Sequence, residues 1–233
     1  MTHDRITRLE PLRPKGLRVL VHIDAEEPFE VSLEAIERCK LRVGDALSAD
    51  ARRQLAEVDA DVRVRDAALN LLSYRARTRR ELETRLRRRG FSTGRIRPCL
   101  DALEGKGLLD DGAVAAAFVR DRLRHRPRGR SRLVSELRAK GVDADLASEA
   151  IERVYGDEAV TDAGLAKEAA ESWLARQSQA TLEAMASDGR APERDKARRR
   201  AHGYLARRGF RGDALSEALE HAVRLARERS APG

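Results

Sequence analysis

Glu81-Leu82-Glu83-Thr84-Arg85-Leu86-Arg87-Arg88-Arg89-Gly90-Phe91 returns, at an offset of 51 positions, as Arg132-Leu133-Val134-Ser135-Glu136-Leu137-Arg138-Ala139-Lys140-Gly141-Val142. Leucines four apart share one face of a helix. The glycine that follows marks where that helix stops, because the left-handed conformation at its end suits glycine. The basic residue before each glycine faces the negative end of the helix dipole. The same offset carries Leu72 onto Leu123, Leu100 onto Ile151, Leu103 onto Val154 and Asp111 onto Asp162. A third copy reads Ala201-x-x-Tyr204-Leu205-x-x-x-Gly209-Phe210, with Leu215 and Leu219 beyond it. Gly209 lies further from Gly141 than Gly141 does from Gly90, so a segment has been added. Leu174 still keeps the original offset from Leu123, which places the addition between Arg176 and Arg198.

Each copy reads as three helices. In the first they run near Asp66–Tyr74, Arg79–Arg89 and Thr93–Leu103, with Thr78-x-x-Glu81 as a capping box. Asp111 and Asp162 are placed to cap the helices that follow, and Pro127 ends the helix before it. A unit of this size buries little by itself, and stacked units share burial as repeat proteins do. The expected fold is mainly α: tandem three-helix repeats over 61–111, 112–160 and 161–233 forming an elongated, curved body. The third repeat carries a longer loop at 177–196, with room for a helical turn over Leu182–Met185.

Residues 1–60 read differently. Leu17 to Ile23 alternates and is β-branched, as a strand does, with Ile6–Leu9 and Pro28–Val31 as pairing partners. Ser32 can cap a short helix ending near Cys39, and Ser48 another running towards Leu55. A small β-hairpin or three-stranded segment with short helices is expected there.

Of the chain's 233 residues, 37% are charged and 3% aromatic, and the net charge is +8. No apolar run reaches the roughly 18 residues of a membrane span, and the first residues lack the apolar stretch of a signal peptide. A cytoplasmic protein is expected. Cys39 and Cys99 stand far apart without a CxxC and read as buried free thiols. The five histidines form no metal-ligand cluster, and no phosphate-binding glycine loop or nucleophile motif is present. Asp110-Asp111 is accounted for by helix capping. The sequence asks for no cofactor, metal or catalytic residue.

Arginine supplies most of the 47 basic residues, a preference that codon bias in a GC-rich genome can produce. Codon bias does not decide where the charge lies. Segment 1–60 has a slight acidic excess, and the positive excess begins after it. With Leu82 and Leu86 inward, a helical wheel points Arg80, Arg87 and Arg88 outward. It does the same for Arg132 and Arg138 in the second copy, and for Arg199, Arg200 and Arg207 in the third. From Arg120 to Arg132 every second residue is arginine, and the part after Pro127 reads as loop. Clustered loop arginines are suited to phosphate. One Asn and three Gln leave little for reading bases, and Tyr204, Phe210, Phe91 and Phe118 fit core positions rather than stacking platforms. Contact with nucleic acid should therefore be independent of sequence and directed at the backbone.

The stretch from Ser73 to Leu86, SYRARTRRELETRL, resembles the first signature of the RecX family of bacterial recombinase regulators. Gly107-Leu108-Leu109-Asp110-Asp111, then Arg122, Arg128-Gly129 and Leu133-x-x-Glu136-Leu137-x-x-Lys140-Gly141-Val142, resembles the second. Tyr204-Leu205-Ala206-Arg207-Arg208-Gly209-Phe210 resembles the third. The three stand in order across 65–223. The resemblance implies tandem three-helix repeats, binding to the RecA–DNA filament, and modulation, usually inhibition, of recombinase and coprotease activity in the SOS response.

The expected function is thus a non-enzymatic, monomeric filament regulator that touches RecA and the backbone of single- or double-stranded DNA. The expected contacts are Arg80, Arg87, Arg88, Arg126, Arg128, Arg130, Arg132, Arg199, Arg200 and Arg207. The alternative is a helix-turn-helix-type DNA-binding regulator acting without RecA. A third reading is a scaffold that holds a protein partner through the acidic segment 1–60.

Overall fold

The computed structural model describes residues 5–12, 17–24, 26–188 and 192–230. It divides into two compact units, one ending at Leu109 and one beginning at Asp110.

In the first unit, β1 (Ile6–Leu12), β2 (Arg18–Ile23) and β3 (Phe29–Ser32) form an antiparallel sheet in the order β1-β2-β3. Val21 and Val31 point into an apolar cluster that α1 (Leu33–Arg38) closes with Ala35 and Ile36. Ser32 caps α1 by accepting from the Ala35 amide at 3.2 Å.

The next element departs from the sequence reading. The two helices expected on either side of position 60 are one, α2 (Ala49–Tyr74), of 26 residues. Ser48 begins it as expected. Nothing between Leu55 and Asp66 is Gly or Pro, so nothing stops it, and the boundary drawn after position 60 falls inside the helix. Its first half offers Leu55 to the sheet cluster, and its second half offers Val64, Ala68 and Leu71 to α3 (Arg79–Arg88) and α4 (Thr93–Gly105). Between these halves sits buried Asp59. Its carboxylate accepts from the Ser32 amide at 2.5 Å and from Arg18 at 3.1 Å, and pairs with Arg63 at 2.9 Å.

The second unit contains α5 (Asp111–His125), α6 (Arg130–Ala139), α7 (Ala144–Asp157), α8 (Asp162–Leu174), α9 (Gln179–Ala186), α10 (Pro192–Arg207) and α11 (Gly212–Ser230). One apolar cluster runs through it, from Ala115 to Ala226. Where a longer loop was expected, α9 is a short helix that buries Leu182 and Met185. The caps are shifted by one position from the sequence reading. Asp110, not Asp111, accepts from the Ala113 amide at 2.8 Å, and Thr161, not Asp162, accepts from Gly164 at 3.0 Å.

The threefold motif is visible in the backbone. Gly90, Gly141 and Gly209 adopt φ of +88°, +89° and +90°. After each, the amide of the next residue donates back to the carbonyl of the leucine four positions before the glycine: Phe91 to Leu86 at 3.3 Å, Val142 to Leu137 at 3.1 Å and Phe210 to Leu205 at 3.2 Å. This is the glycine-terminated helix end that satisfies an orphan carbonyl. The repeat extends to side chains. Arg79 at the start of α3 pairs with Asp101 of α4, and Arg130 at the start of α6 pairs with Glu152 of α7, so both members of the pair recur at the repeat offset.

Candidate functional site

The turn Arg126-Pro127-Arg128-Gly129 joins α5 to α6 and lies against the C-terminal end of α10. The Gly129 amide donates to the Arg208 carbonyl at 2.9 Å, and the Arg208 guanidinium donates to the Pro127 carbonyl at 3.1 Å. Glycine is required on both sides of this contact. A Cβ on Gly129 would stand 2.7 Å from the Phe210 nitrogen, and one on Gly209 would stand 2.9 Å from the Arg132 Cα.

The close approach brings two arginine walls together. Arg126, Arg128 and Arg132 form one, and Arg207 and Arg208 with Tyr204 form the other, around a void of about 280 Å³. Glu136 is the carboxylate that pairs with the first wall, and Glu168 lines the adjoining pocket with Arg126 and Arg208. Glu136 pairs with Arg122 at 3.2 Å, with Arg132 at 2.8 Å and with Arg128. Among the described residues, no carboxylate forms an ion pair with Arg126, Arg207 or Arg208. Burial lowers the pKa of Arg128, and the neighbouring charges of Arg122, Arg132, Arg208 and Arg126 act in the same direction. Tyr204 is half-buried: it packs against the apolar cluster and also lines the cleft. The guanidinium of Arg208 lies 4.7 Å from its ring centroid and that of Arg176 5.7 Å, and its hydroxyl accepts from Arg176 at 2.9 Å.

Of the ten arginines singled out from the sequence, four line this cleft: Arg126, Arg128, Arg132 and Arg207. Arg200 stands one turn before Tyr204 and two before Arg207, on the same stripe of α10, and is exposed, as is Arg199. Arg130 is engaged elsewhere: it pairs with Glu152 and its guanidinium lies 4.8 Å from the Tyr155 ring. Arg130 and Arg132 belong to α6, so the loop after Pro127 is shorter than expected. Arg80, Arg87 and Arg88 are exposed on α3 in the first unit, where Arg87 is 4.0 Å from Glu83. The first-repeat counterparts of the cleft arginines differ in setting. Arg77, matching Arg128, is buried and donates to the Leu71 carbonyl at 2.9 Å.

Sequence reasoning misses Arg208, Arg122 and Arg176. Its place before Gly209 gives Arg208 to the capping of α10, yet its side chain turns to the Pro127 carbonyl and the Tyr204 ring. The glycine pair Gly129 and Gly209 is the available signal, but the segment added before the third copy hides which helix end faces which turn. Cys39 and Cys99 are free and half-buried rather than buried, and burial raises both thiols above the ordinary range. Among the described residues no group of His, Cys, Asp and Glu is arranged to hold a metal, and no helix is long and apolar enough to cross a membrane.

Two family models match in order: the first three-helix domain of RecX over residues 65–103 and the second over 110–151. A regulatory protein RecX of Halorhodospira halophila is 40% identical over 159 residues, covering 68% of this chain and 88% of the relative. The chain belongs to the RecX family. A regulatory protein RecX of Mycobacterium avium is 32% identical over 174 residues, covering 75% of this chain and 92% of its own. Among solved structures, a crystal structure of regulatory protein RecX aligns with a TM-score of 0.72 at 22% identity, covering 93% of this chain and 98% of that one. The RecX of Lactobacillus salivarius aligns with a TM-score of 0.57 at 23% identity, over 72% and 99%. At these identities the likeness is one of fold, and it agrees with a RecX fold of tandem three-helix domains. The second matched domain ends at Ile151 in α7, so the wall of the cleft on α10 lies beyond it.

Proposed function

We propose that this chain is a non-enzymatic cytoplasmic regulator that binds the RecA–DNA filament as a monomer and restrains recombinase and coprotease activity. Membership of a family of regulatory proteins supports the regulatory part. The observation that carries the contact with an anionic polymer is the cleft. Five guanidiniums from two distant segments of the sequence line it, and Glu136 pairs with two of them, Arg128 and Arg132. Paired and stacked arginines of this kind favour phosphate over base edges, so the DNA component of binding is independent of sequence. Arg80, Arg87 and Arg88 on α3, and Arg199 and Arg200 on α10, provide further exposed positive charge for the same partner. A regulator of this type acts by preferring one filament state over another.

The test is ATP hydrolysis by RecA on single-stranded DNA with and without this protein. Hydrolysis is expected to fall as the protein is added. The triple variant R126E/R128E/R207E is expected to lose the effect and to show a weaker salt dependence. Unchanged hydrolysis, or a triple variant as effective as the parent, would overturn the proposal. Strong preference for one duplex sequence in the absence of RecA would point instead to a sequence-reading regulator.

A further inference from the structure

The cleft carries more positive charge than the chain neutralises, and its two walls belong to different repeats. Arg126, Arg128 and Arg132 stand on the α5–α6 side, and Arg207 and Arg208 at the end of α10. Their mutual repulsion therefore acts across the joint between the second and third repeats. The polar contacts that hold this joint are few and specific. Gly129 donates to the Arg208 carbonyl at 2.9 Å, Arg208 to the Pro127 carbonyl at 3.1 Å, and the Arg130 amide to the Asp162 carboxylate at 3.0 Å. An anion placed between the walls turns the repulsion into attraction on both sides at once.

The chemistry of that anion is constrained. Tyr204 is flanked by the guanidiniums of Arg208 and Arg176 at 4.7 Å and 5.7 Å, so its ring is already engaged by cations and is not a free stacking platform for a base. The void, at about 280 Å³, lies just below the roughly 300–1,000 Å³ of pockets that enclose a drug-sized ligand. It suits consecutive phosphates rather than a whole nucleotide. Arginine forks match phosphate oxygens in pairs.

We propose that the cleft is a phosphate site that locks the third repeat onto the second: phosphates of a nucleic-acid backbone bind between the arginine walls and tighten the joint, so that backbone binding and third-repeat order are one event. The lock rests on the filament-binding reading only for the source of its phosphates. Anything that binds the folded joint and not the unfolded chain raises its stability with concentration. The chain carries its own reporter. Trp173 is the single tryptophan, buried in the third repeat with its ring 6.4 Å from that of Tyr204.

The experiment follows Trp173 fluorescence of the full chain through thermal unfolding. Additions are sodium tripolyphosphate, a short oligo-dT, or sodium chloride at matched ionic strength. Tripolyphosphate and oligo-dT are expected to raise the midpoint progressively, and chloride much less. The double variant R126Q/R207Q removes two charges that have no carboxylate partner, so its fold is expected to persist while apparent affinity for tripolyphosphate falls at least tenfold. R97Q/K106Q, at exposed first-unit positions outside the proposed contacts, is expected to keep the full response. A rise matched by chloride, or retained in R126Q/R207Q, would overturn the lock. A rise with tripolyphosphate and none with oligo-dT would overturn the nucleic-acid source and leave a site for free polyphosphate. If R126Q/R207Q loses the midpoint shift but still suppresses RecA hydrolysis, the lock stands and the filament role of the cleft falls. If no phosphate shifts the midpoint while the variant loses suppression, the lock falls and the regulatory reading stands.

Discussion

Gly129 and Gly209 meet backbone to backbone, one at the start of α6 and the other just past the end of α10, and their contact aligns the two arginine walls. Gly129 has an ordinary φ of −69°, so alanine there is opposed by collision alone, against the Gly209 carbonyl and the Phe210 nitrogen. Overpacking of this kind costs about 1–3 kcal/mol. G129A is therefore expected to lower the unfolding midpoint of the second unit and to weaken tripolyphosphate binding, although no charge has changed. Gly209 combines a collision with a φ of +90°, whereas Gly90 has a φ of +88° with nothing within 4 Å of a Cβ. G209A should thus cost more than G90A, the difference isolating the collision. Parallel denaturant titrations of the three variants check the ordering.

Much of the fold was legible because it depends on local rules repeated three times. Leu82–Leu86–Gly90 and its copies fix one helix and its end by spacing alone, and the observed bonds from Phe91, Val142 and Phe210 are the same bond made three times. The continuous α2 was not legible as one element, because its apolar face shifts midway. Leu55 serves one cluster and Val64, Ala68 and Leu71 the next, so the pattern looks broken although the backbone is not. The cleft was half legible. Outward charge can be read from a helical wheel, but the meeting of Arg128 with Arg208 is set by tertiary packing across the segment added before the third copy.

That added segment contributes to the core. Met185 on α9 is fully buried, and Leu182 beside it nearly so, against the cluster that also holds Trp173 and Ala226. Truncating a buried Met or Leu costs about 2–5 kcal/mol. M185A is expected to destabilise the second unit by an amount in that range, and to broaden or shift the Trp173 emission in the folded state. A variant within experimental error of the parent in urea denaturation would mean that α9 is not packed as described.

Asp59 ties the sheet to α2. Its carboxylate is shared by the Ser32 amide, Arg18 and Arg63, and it is buried. D59A leaves the buried Ser32 amide without its acceptor and Arg63 without its partner, while Arg18 keeps only Glu30. Hydrogen bonds to charged groups contribute about 1.5–3 kcal/mol each, and orphaned buried donors cost a similar amount. Hydrogen exchange offers a local readout: amides of β2 and β3 should lose protection in D59A well before those of α3 and α4.

Glu34 makes the same region sensitive to pH. Both its oxygens accept from the Arg65 guanidinium, at 2.5 and 2.6 Å, and this bond lowers the carboxyl below its ordinary range. A depressed folded-state pKa means the bridge stabilises fully above the unfolded value near ~4.3 and is lost as pH falls through the lower, folded value. The pair is about one-third exposed, so solvent screening holds its contribution to about 1 kcal/mol or less. E34Q should be slightly less stable than the parent at pH 7, with the gap closing below the ordinary carboxylate range. A gap independent of pH would refer the effect to packing.

Glu136 tests the charge balance of the cleft. It is the carboxylate shared by Arg122, Arg128 and Arg132. E136Q keeps the side-chain volume and removes the charge, so two effects of opposite sign follow. Without added anion the variant should lose about 1.5–3 kcal/mol, the range for hydrogen bonds to a charged group. With tripolyphosphate it should bind more tightly than the parent, because the competing carboxylate is gone. The parent gains from the ligand too, so at saturation the gap narrows by about 1.4 kcal/mol for each tenfold by which E136Q binds more tightly. The deficit of E136Q should therefore shrink as tripolyphosphate rises, whereas that of M185A should not. A deficit that stays constant would show that Glu136 acts on packing alone.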